Sequence, residues 1–298
     1  MHILLLGKNG QVGWELQRAL APLGKLTALD RHATDYCGDL ANPEGLTQTI
    51  RALKPDVIVN AAAYTAVDKA ESEAEQARQI NADSVTMLAR EAEALGAWLV
   101  HYSTDYVFNG EGDIPWQEND VTAPLNVYGA TKLAGELAIQ HHCSRHLIFR
   151  TSWVYAARGN NFAKTMLRLA SERSELGVIN DQIGAPTGAE LIADVTAHAI
   201  YRAMAQPKLT GLYHLAAGGE TSWYDYACFV FEQARQAGVK LALTQLNPIL
   251  TSAYPTPASR PLNSRLNTTK LQTAFGLEFP HWQQGVKRML TEIMEQYQ

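Results

Sequence analysis

A doubly wound α/β fold, a parallel sheet covered by helices on both faces and followed by a smaller α+β unit, is predicted by three observations. Short, nearly continuous apolar runs at Ile3–Leu6, Leu26–Leu29, Asp56–Asn60, Ala97–Tyr102 and His146–Arg150 alternate with segments of helical periodicity. Glycines at 7, 10 and 13 follow the first run directly. Tyr128 and Lys132 stand four positions apart in a helical segment, downstream of the strand end at Ser103-Thr104.

The elements follow in order. Ile3–Leu6 is a buried strand, the glycines a tight turn, and Trp14–Leu23 a helix. This is the strand-turn-helix of a Rossmann-type fold. The first glycine suits the sharp turn, the second lets a pyrophosphate approach the backbone, and the third lets helix pack on strand, with Gln11 and Val12 at the helix N-terminus facing the anion. Leu26–Leu29 forms the second strand and ends in Asp30, near the offset at which an acidic residue meets the adenosine ribose. Asp30 argues for NAD and Arg31 for NADP, so the pair predicts tolerance of both. Asn42-Pro43 starts a helix that runs to about Leu53. Asp56–Asn60 then opens into Ala61-Ala62-Ala63-Tyr64-Thr65, where small residues let a flat cofactor lie against the backbone; Ala62, Ala63, Tyr64 and Thr65 are assigned to it. The acidic stretch Asp68–Glu75 leads into one long helix through Ala94.

Composition narrows the function. The 298 residues, 46% hydrophobic and 18% charged, describe a globular chain with a large core. A net charge of -5 with scattered Lys and Arg disfavours nucleic acid. The three cysteines lack metal-ligand spacing and fit idle thiols in a reducing compartment, so the cytoplasm is expected. The apolar start Met1–Gly7 is too short for a signal peptide, and no run approaches the roughly 20 apolar residues of a membrane span, so a soluble protein is expected.

Ala97–Tyr102 delivers Thr104, Asp105 and Tyr106 to the carboxyl end of the sheet, where ligands bind in open parallel sheets. Pro124–Tyr128 then enters the helix bearing Tyr128 and Lys132. A phenol has an ordinary pKa of about 10, and a cation within about 4–6 Å favours its phenolate. Lowering it by roughly 3 units needs about 4 kcal/mol of differential interaction, much of which one close charge in a partly dry pocket supplies. Tyr128 is therefore the expected proton donor, Lys132 its tuner, and Thr104 the hydroxyl that bonds the phenol or a substrate carbonyl.

The segments Ser103–Phe108, Val127–Lys132, Arg150–Tyr155, Asp181–Thr187 and Arg260-Pro261, with the glycine spacing above, resemble the extended short-chain dehydrogenase/reductases that act on nucleotide sugars. The resemblance spans essentially the whole chain. It implies reduction of the 4-keto group of dTDP-4-dehydro-L-rhamnose by NADPH or NADH. It also implies that Asp39 and Leu40 hold the adenine and that Lys132 holds the nicotinamide ribose as well. Tyr102 lies along the cofactor or in the core, Trp153 packs on the sugar or in the core, and Arg260 meets the diphosphate or sits on the surface. Dehydratases of this kind carry Asp-Glu after the catalytic Thr, whereas Tyr106 stands here, which favours simple reduction. Two other readings stay open, a nucleotide-sugar 4-epimerase that keeps its cofactor bound and a non-catalytic regulatory subunit of the same fold. Relatives include dimers bridged through carboxylates by a divalent ion, which leaves a magnesium-linked homodimer open without assigning ligands.

In the later chain, Asn161–Glu172 is amphipathic, Asn180–Pro186 is a crossing turn, and Glu190–Ala205 and Gly211–Leu215 return to the first sheet as helix and strand. The domains are therefore interleaved, with residues 1–155 and 186–216 binding dinucleotide and residues 156–185 and 217–298 binding the sugar nucleotide. Thr221 is expected to cap a helix whose aromatics, Trp223 included, belong to the core. Asn247–Asn263 is expected as a long loop, and His281–Tyr297 as the closing amphipathic helix.

Overall fold

A computed structural model describes residues 1–294. The chain starts with β1 (His2–Leu6), whose Ile3 and Leu5 point into one helical layer and Leu4 and Leu6 into the other. α1 (Gln11–Leu20) becomes a 3-10 turn at Ala21–Leu23, because Pro22 has no N–H for the helical ladder; the helix expected from Trp14 to Leu23 thus begins earlier and ends sooner. β2 (Lys25–Leu29) and β3 (Val57–Asn60) flank β1. Between them runs α2 (Pro43–Leu53), capped as expected by the Asn42 side chain accepting from the Gly45 N–H. The acidic stretch holds the short α3 (Val67–Ala70) and leads, as expected, into one long helical run, made of α4 (Ala74–Arg78), a π-helical segment at Gln79–Asp83 and α5 (Ser84–Leu95).

β4 (Trp98–Thr104) is buried throughout, and α6 (Val127–His142) follows with Asn126 capping the Gly129 N–H. α6 lies so close to the π segment that a β-carbon at Gly135 would sit 2.3 Å from the Asn81 carbonyl oxygen. After β5 (His146–Thr151) come β6 (Val154–Tyr155), α7 (Phe162–Glu172), β7 (Glu175–Ile179), β8 (Ile183–Gly184) and β9 (Thr187–Gly188). α8 (Ala189–Ala205) packs on α1, and β10 (Gly211–His214) pairs with β5. The chain ends with β11 (Thr221–Ser222), α9 (Trp223–Gln236), β12 (Gln245–Ile249), α10 (Thr269–Phe275) and α11 (Trp282–Ile293).

The main sheet runs β10-β5-β4-β3-β1-β2, parallel throughout. One face is covered by α1, α8 and α10, the other by α2, α5 and α6. A third apolar cluster joins α7, α9 and α11 beside the short parallel pair β7 and β12. Four expectations need correction. Ser222, not Thr221, caps α9, because its Oγ accepts from the Asp225 N–H while Thr221 pairs in β11. The expected loop from Asn247 starts inside β12, where Pro248 is tolerated in an edge strand. α10 was not expected and is anchored by buried Leu271 and Phe275. The closing helix begins at Trp282, and the part of it expected at 295–297 lies outside the described residues. Among the described residues, no helix is long and apolar enough to cross a membrane.

Candidate active site

A cleft of about 980 Å³ opens at the carboxyl ends of the central strands. Its floor is the turn after β1. Gly7 has φ 84°, and a β-carbon there would lie 2.7 Å from the Ala62 nitrogen, so only glycine fits. A β-carbon at Gly13 would lie 2.0 Å from the Gly7 carbonyl oxygen. Gly13 therefore seats α1 on the turn and does not itself line the cleft. Gly10, Gln11 and Val12 do line it, and α1 starts without a side-chain cap, which leaves its first N–H groups for an anion.

Farther along the wall, Asp30 takes hydrogen bonds from the Asn9 amide at 2.6 Å and the His32 N–H at 2.8 Å, with Lys8 at 3.7 Å. The His32 N–H is the largest cause holding its carboxyl below the ordinary value. Arg31 donates to the His32 ring at 3.0 Å, and both residues line the cleft. Asp39 Oδ1 accepts from the Ala41 N–H at 2.9 Å, beside buried Leu40. Ala62, Ala63 and Thr65 also line the cleft. Tyr64 does not, contrary to expectation: its hydroxyl bonds the Glu73 carboxylate and its backbone N–H is taken by Asn81 Oδ1, so the side chain turns outward.

The chemistry gathers at the inner end. Tyr128 lies between Thr104, Asp105 and Tyr106, its ring edge-on to Tyr106 with centroids 5.7 Å apart. Burial, then the Asp105 carboxylate, pushes its phenol above the ordinary value, and the Thr104 hydroxyl pulls the other way through a hydrogen bond. Lys132, the expected tuner, directs its ammonium toward β4. Its Nζ donates to the Tyr102 carbonyl at 2.5 Å and lies 3.1 Å from His101 Nε2. Burial lowers the Lys132 pKa to about 8, opposed by the Glu136 charge. Asp105, fully enclosed, is pushed up to about 6 by burial, although its Oδ1 accepts from the Thr104 hydroxyl at 3.0 Å. The site thus keeps a protonated phenol next to a polar, water-poor space, and such a group donates once negative charge develops beside it.

Tyr102 contributes backbone to the cleft and side chain to the core: its hydroxyl pairs with Thr196 at 2.8 Å and its ring tilts against Phe149. Trp153 has φ 49°, a backbone conformation that side chains with a β-carbon seldom adopt. It stacks on Trp223 with centroids 3.5 Å apart, and a β-carbon on Gly184 would come within 2.8 Å of its ring. Both tryptophans line the cleft, so Trp223 is not the purely core residue expected. Arg260 is not among the residues that line the cleft: its guanidinium bonds Asp68 at 2.8 Å and faces Tyr106, which does line it. His101 was not singled out; the one available signal was an imidazole within a buried strand just before Tyr102. The magnesium expectation finds no ligand set, since among the described residues no three His, Cys, Asp or Glu side chains converge to hold a metal ion.

A parallel doubly wound sheet with this glycine cradle and a Thr-Tyr-Lys constellation lining one cleft defines an extended short-chain dehydrogenase/reductase fold. The chain belongs to the RmlD substrate binding domain family, whose model matches residues 1–295. It is 69% identical to the dTDP-4-dehydrorhamnose reductase of Escherichia coli (strain K12) over 293 residues, 98% of each chain. It is 47% identical to the protein of that name from Burkholderia thailandensis over 302 residues, 99% of this chain and 100% of the other. Among solved structures, the dTDP-4-dehydrorhamnose reductase of Bacillus anthracis in complex with NADP superposes with a TM-score of 0.87 at 34% identity, covering 98% of this chain and 99% of that one.

Proposed function

We propose that this chain reduces the 4-keto group of dTDP-4-dehydro-L-rhamnose to dTDP-L-rhamnose by hydride transfer from NADPH or NADH. The observation that carries the reading is the protonated Tyr128 facing Thr104 inside a cleft whose glycine cradle suits a dinucleotide, in a chain 69% identical to a reductase of that name. In this reading Gly7, Gly10, Gln11 and Val12 take the pyrophosphate, Asp30 and Arg31 the adenosine ribose end, Asp39 and Leu40 the adenine, and Ala62, Ala63 and Thr65 the nicotinamide ribose. The bound nicotinamide supplies a hydride to the keto carbon. Tyr128 donates its proton to the alkoxide that forms, and Thr104 steadies that oxygen or the phenol with a hydrogen bond. Lys132 holds the ribose hydroxyls and restrains the tyrosinate left behind. Trp153, Asp105 and Tyr106 border the sugar, and Arg260 meets the diphosphate, where its planar guanidinium suits paired phosphate oxygens.

Residues 1–155 with 186–216 then form the dinucleotide half and the rest the sugar-nucleotide half. The free thiols Cys37, Cys143 and Cys228 support a reducing, cytoplasmic setting. Following reduced-cofactor absorbance against a panel of nucleotide 4-keto sugars tests the activity. Oxidation that depends on the dTDP-4-keto-6-deoxy sugar is expected from purified chain alone. Copurified NAD with no need of added reductant would replace the reading with an epimerase, and dependence on a partner protein would replace it with a regulatory subunit. A magnesium-linked homodimer is part of the proposal, and native mass measured with and without a chelator tests it.

A further inference from the structure

We propose that His101 is a positioning residue for Lys132, holding one N–H of its ammonium so that the group presents its free hydrogen to the cofactor. The inference rests on the reading above, in which Lys132 grips the nicotinamide ribose. An ammonium has three N–H donors and no acceptor. In the structure one of them meets the Tyr102 carbonyl at 2.5 Å, and His101 Nε2 lies 3.1 Å from the same nitrogen. Both partners sit on β4, behind Lys132, and both Lys132 and His101 are almost wholly buried at 2% and 1% exposure. An acceptor in that place matters, because a buried ammonium without one loses its proton.

The other charged and titratable groups near Lys132 do not supply that acceptor. Glu136, on the next turn of α6, gives both carboxylate oxygens to Arg150 of β5. Asp105 bonds Thr104, and Tyr102 turns its hydroxyl to Thr196. Tyr128, on α6, faces Thr104. The imidazole is therefore the side chain left to accept. Burial and the Lys132 charge hold His101 well below its ordinary pKa, which keeps the ring neutral.

A neutral ring that accepts at Nε2 carries its hydrogen on Nδ1. As placed, the Asn60 amide nitrogen lies 3.2 Å from Nδ1 and its oxygen accepts from the Ala62 N–H at 3.2 Å, but the two ends of an amide are assigned from their hydrogen bonds. The proposal requires the opposite orientation, with the amide oxygen toward Nδ1–H. That orientation gives up the bond from the N–H of Ala62, a residue lining the cleft. Asn60, His101 and Lys132 so form a chain reaching from the end of β3 to the cofactor cleft.

The test uses full-length protein labelled in histidine and lysine. Long-range proton–nitrogen NMR of the free wild-type chain is expected to find the His101 ring neutral near pH 7 with its hydrogen on Nδ1. In His101→Leu the Lys132 pKa, read from its ε-carbon shift, is expected to fall by about one unit or more. The Kd for NADPH is expected to rise roughly tenfold, the loss of one charge-assisted hydrogen bond. His101→Gln, which restores an acceptor, is expected to recover most of both effects. A ring hydrogen on Nε2 in the wild type, or an unmoved Lys132 titration in His101→Leu, overturns the proposal. A merely structural role would lower Tm in both variants and leave that titration in place. Because the titration is read in the free chain, its outcome is separate from the fate of the reductase reading, which turnover decides.

Discussion

Two clusters of buried ionisable groups share α6 and are built in opposite ways. Glu136 and Arg150 satisfy each other: Arg150 Nε lies 2.9 and 3.2 Å from the two carboxylate oxygens and Nη2 lies 2.6 Å from one of them. The guanidinium also lies 5.0 Å over the Phe108 ring. Around the preceding turns Lys132 and Asp105 are equally enclosed and Tyr128 is half-buried, and Asp105 Oδ2 makes no hydrogen bond although Ser264 faces that carboxylate. The first cluster ties α6 to β5. The second keeps groups away from their ordinary protonation behaviour, which serves chemistry and weakens the fold.

The largest expected effect separates the two clusters by turnover. Tyr128→Phe removes the proton donor and should lower kcat by roughly 10²–10⁴-fold while leaving Tm within a few degrees of the parent. Lys132→Ala should lose most turnover as well. Steady-state kinetics beside a melting curve check this, and a Phe variant with wild-type turnover would reassign the donor. Glu136→Gln attacks the other cluster and should do the reverse. Leaving Arg150 buried without its counter-charge should destabilise the chain by about 3–5 kcal/mol, measured by denaturant unfolding. If the folded variant instead loses turnover without losing stability, the division between the clusters fails.

Asp105 allows a test by pH. Its folded pKa of about 6 lies above the ordinary 3.8, so between those values the folded chain holds a proton that the unfolded chain has released. Stability therefore falls as pH rises through this window, by up to about 3 kcal/mol, and this contribution is constant above it. Asp105→Asn should flatten that stretch and stabilise the chain at pH 8 by about 1–3 kcal/mol. It should also ease the upward push on the Tyr128 phenol, because the Asp105 charge is a cause of that push. Unfolding midpoints at pH 4 and pH 8 decide the matter, and an unchanged difference between them would remove Asp105 from the account.

The sheet and the cradle were legible because their causes are local. Apolar runs of strand length, a glycine at φ 84° and an Asn-Pro helix start each act within a few residues. Tyr64 was misplaced for the same reason: it stands among small residues that do face the cleft, but Glu73, nine residues on, draws its hydroxyl outward. Other features depend on contacts that no local pattern carries. His101 meets Lys132 across 31 residues, Trp153 stacks on Trp223 from a different part of the chain, and β12 exists only because β7 lies beside it. The π segment within the long helical run answers to α6, where Gly135 leaves room for it.

Asp68 and Arg260, 192 residues apart, form a third ionic pair and give the smallest expected effect. Their side chains are 42% and 20% exposed, so the pair is neither sealed like Glu136–Arg150 nor desolvated like Lys132. Solvent screens such a pair, and Asp68→Ala should change stability by less than about 1 kcal/mol. Its consequence belongs to binding. Removing Asp68 frees Arg260 to follow an incoming diphosphate and should leave KM for the sugar nucleotide equal or lower, whereas Arg260→Ala should raise KM by roughly tenfold with little change in kcat. Equal KM values in both variants would make the pair a rim contact without a role in binding. A kcat loss in Arg260→Ala would instead place the guanidinium, through its contact with Tyr106, within the proton-donating cluster.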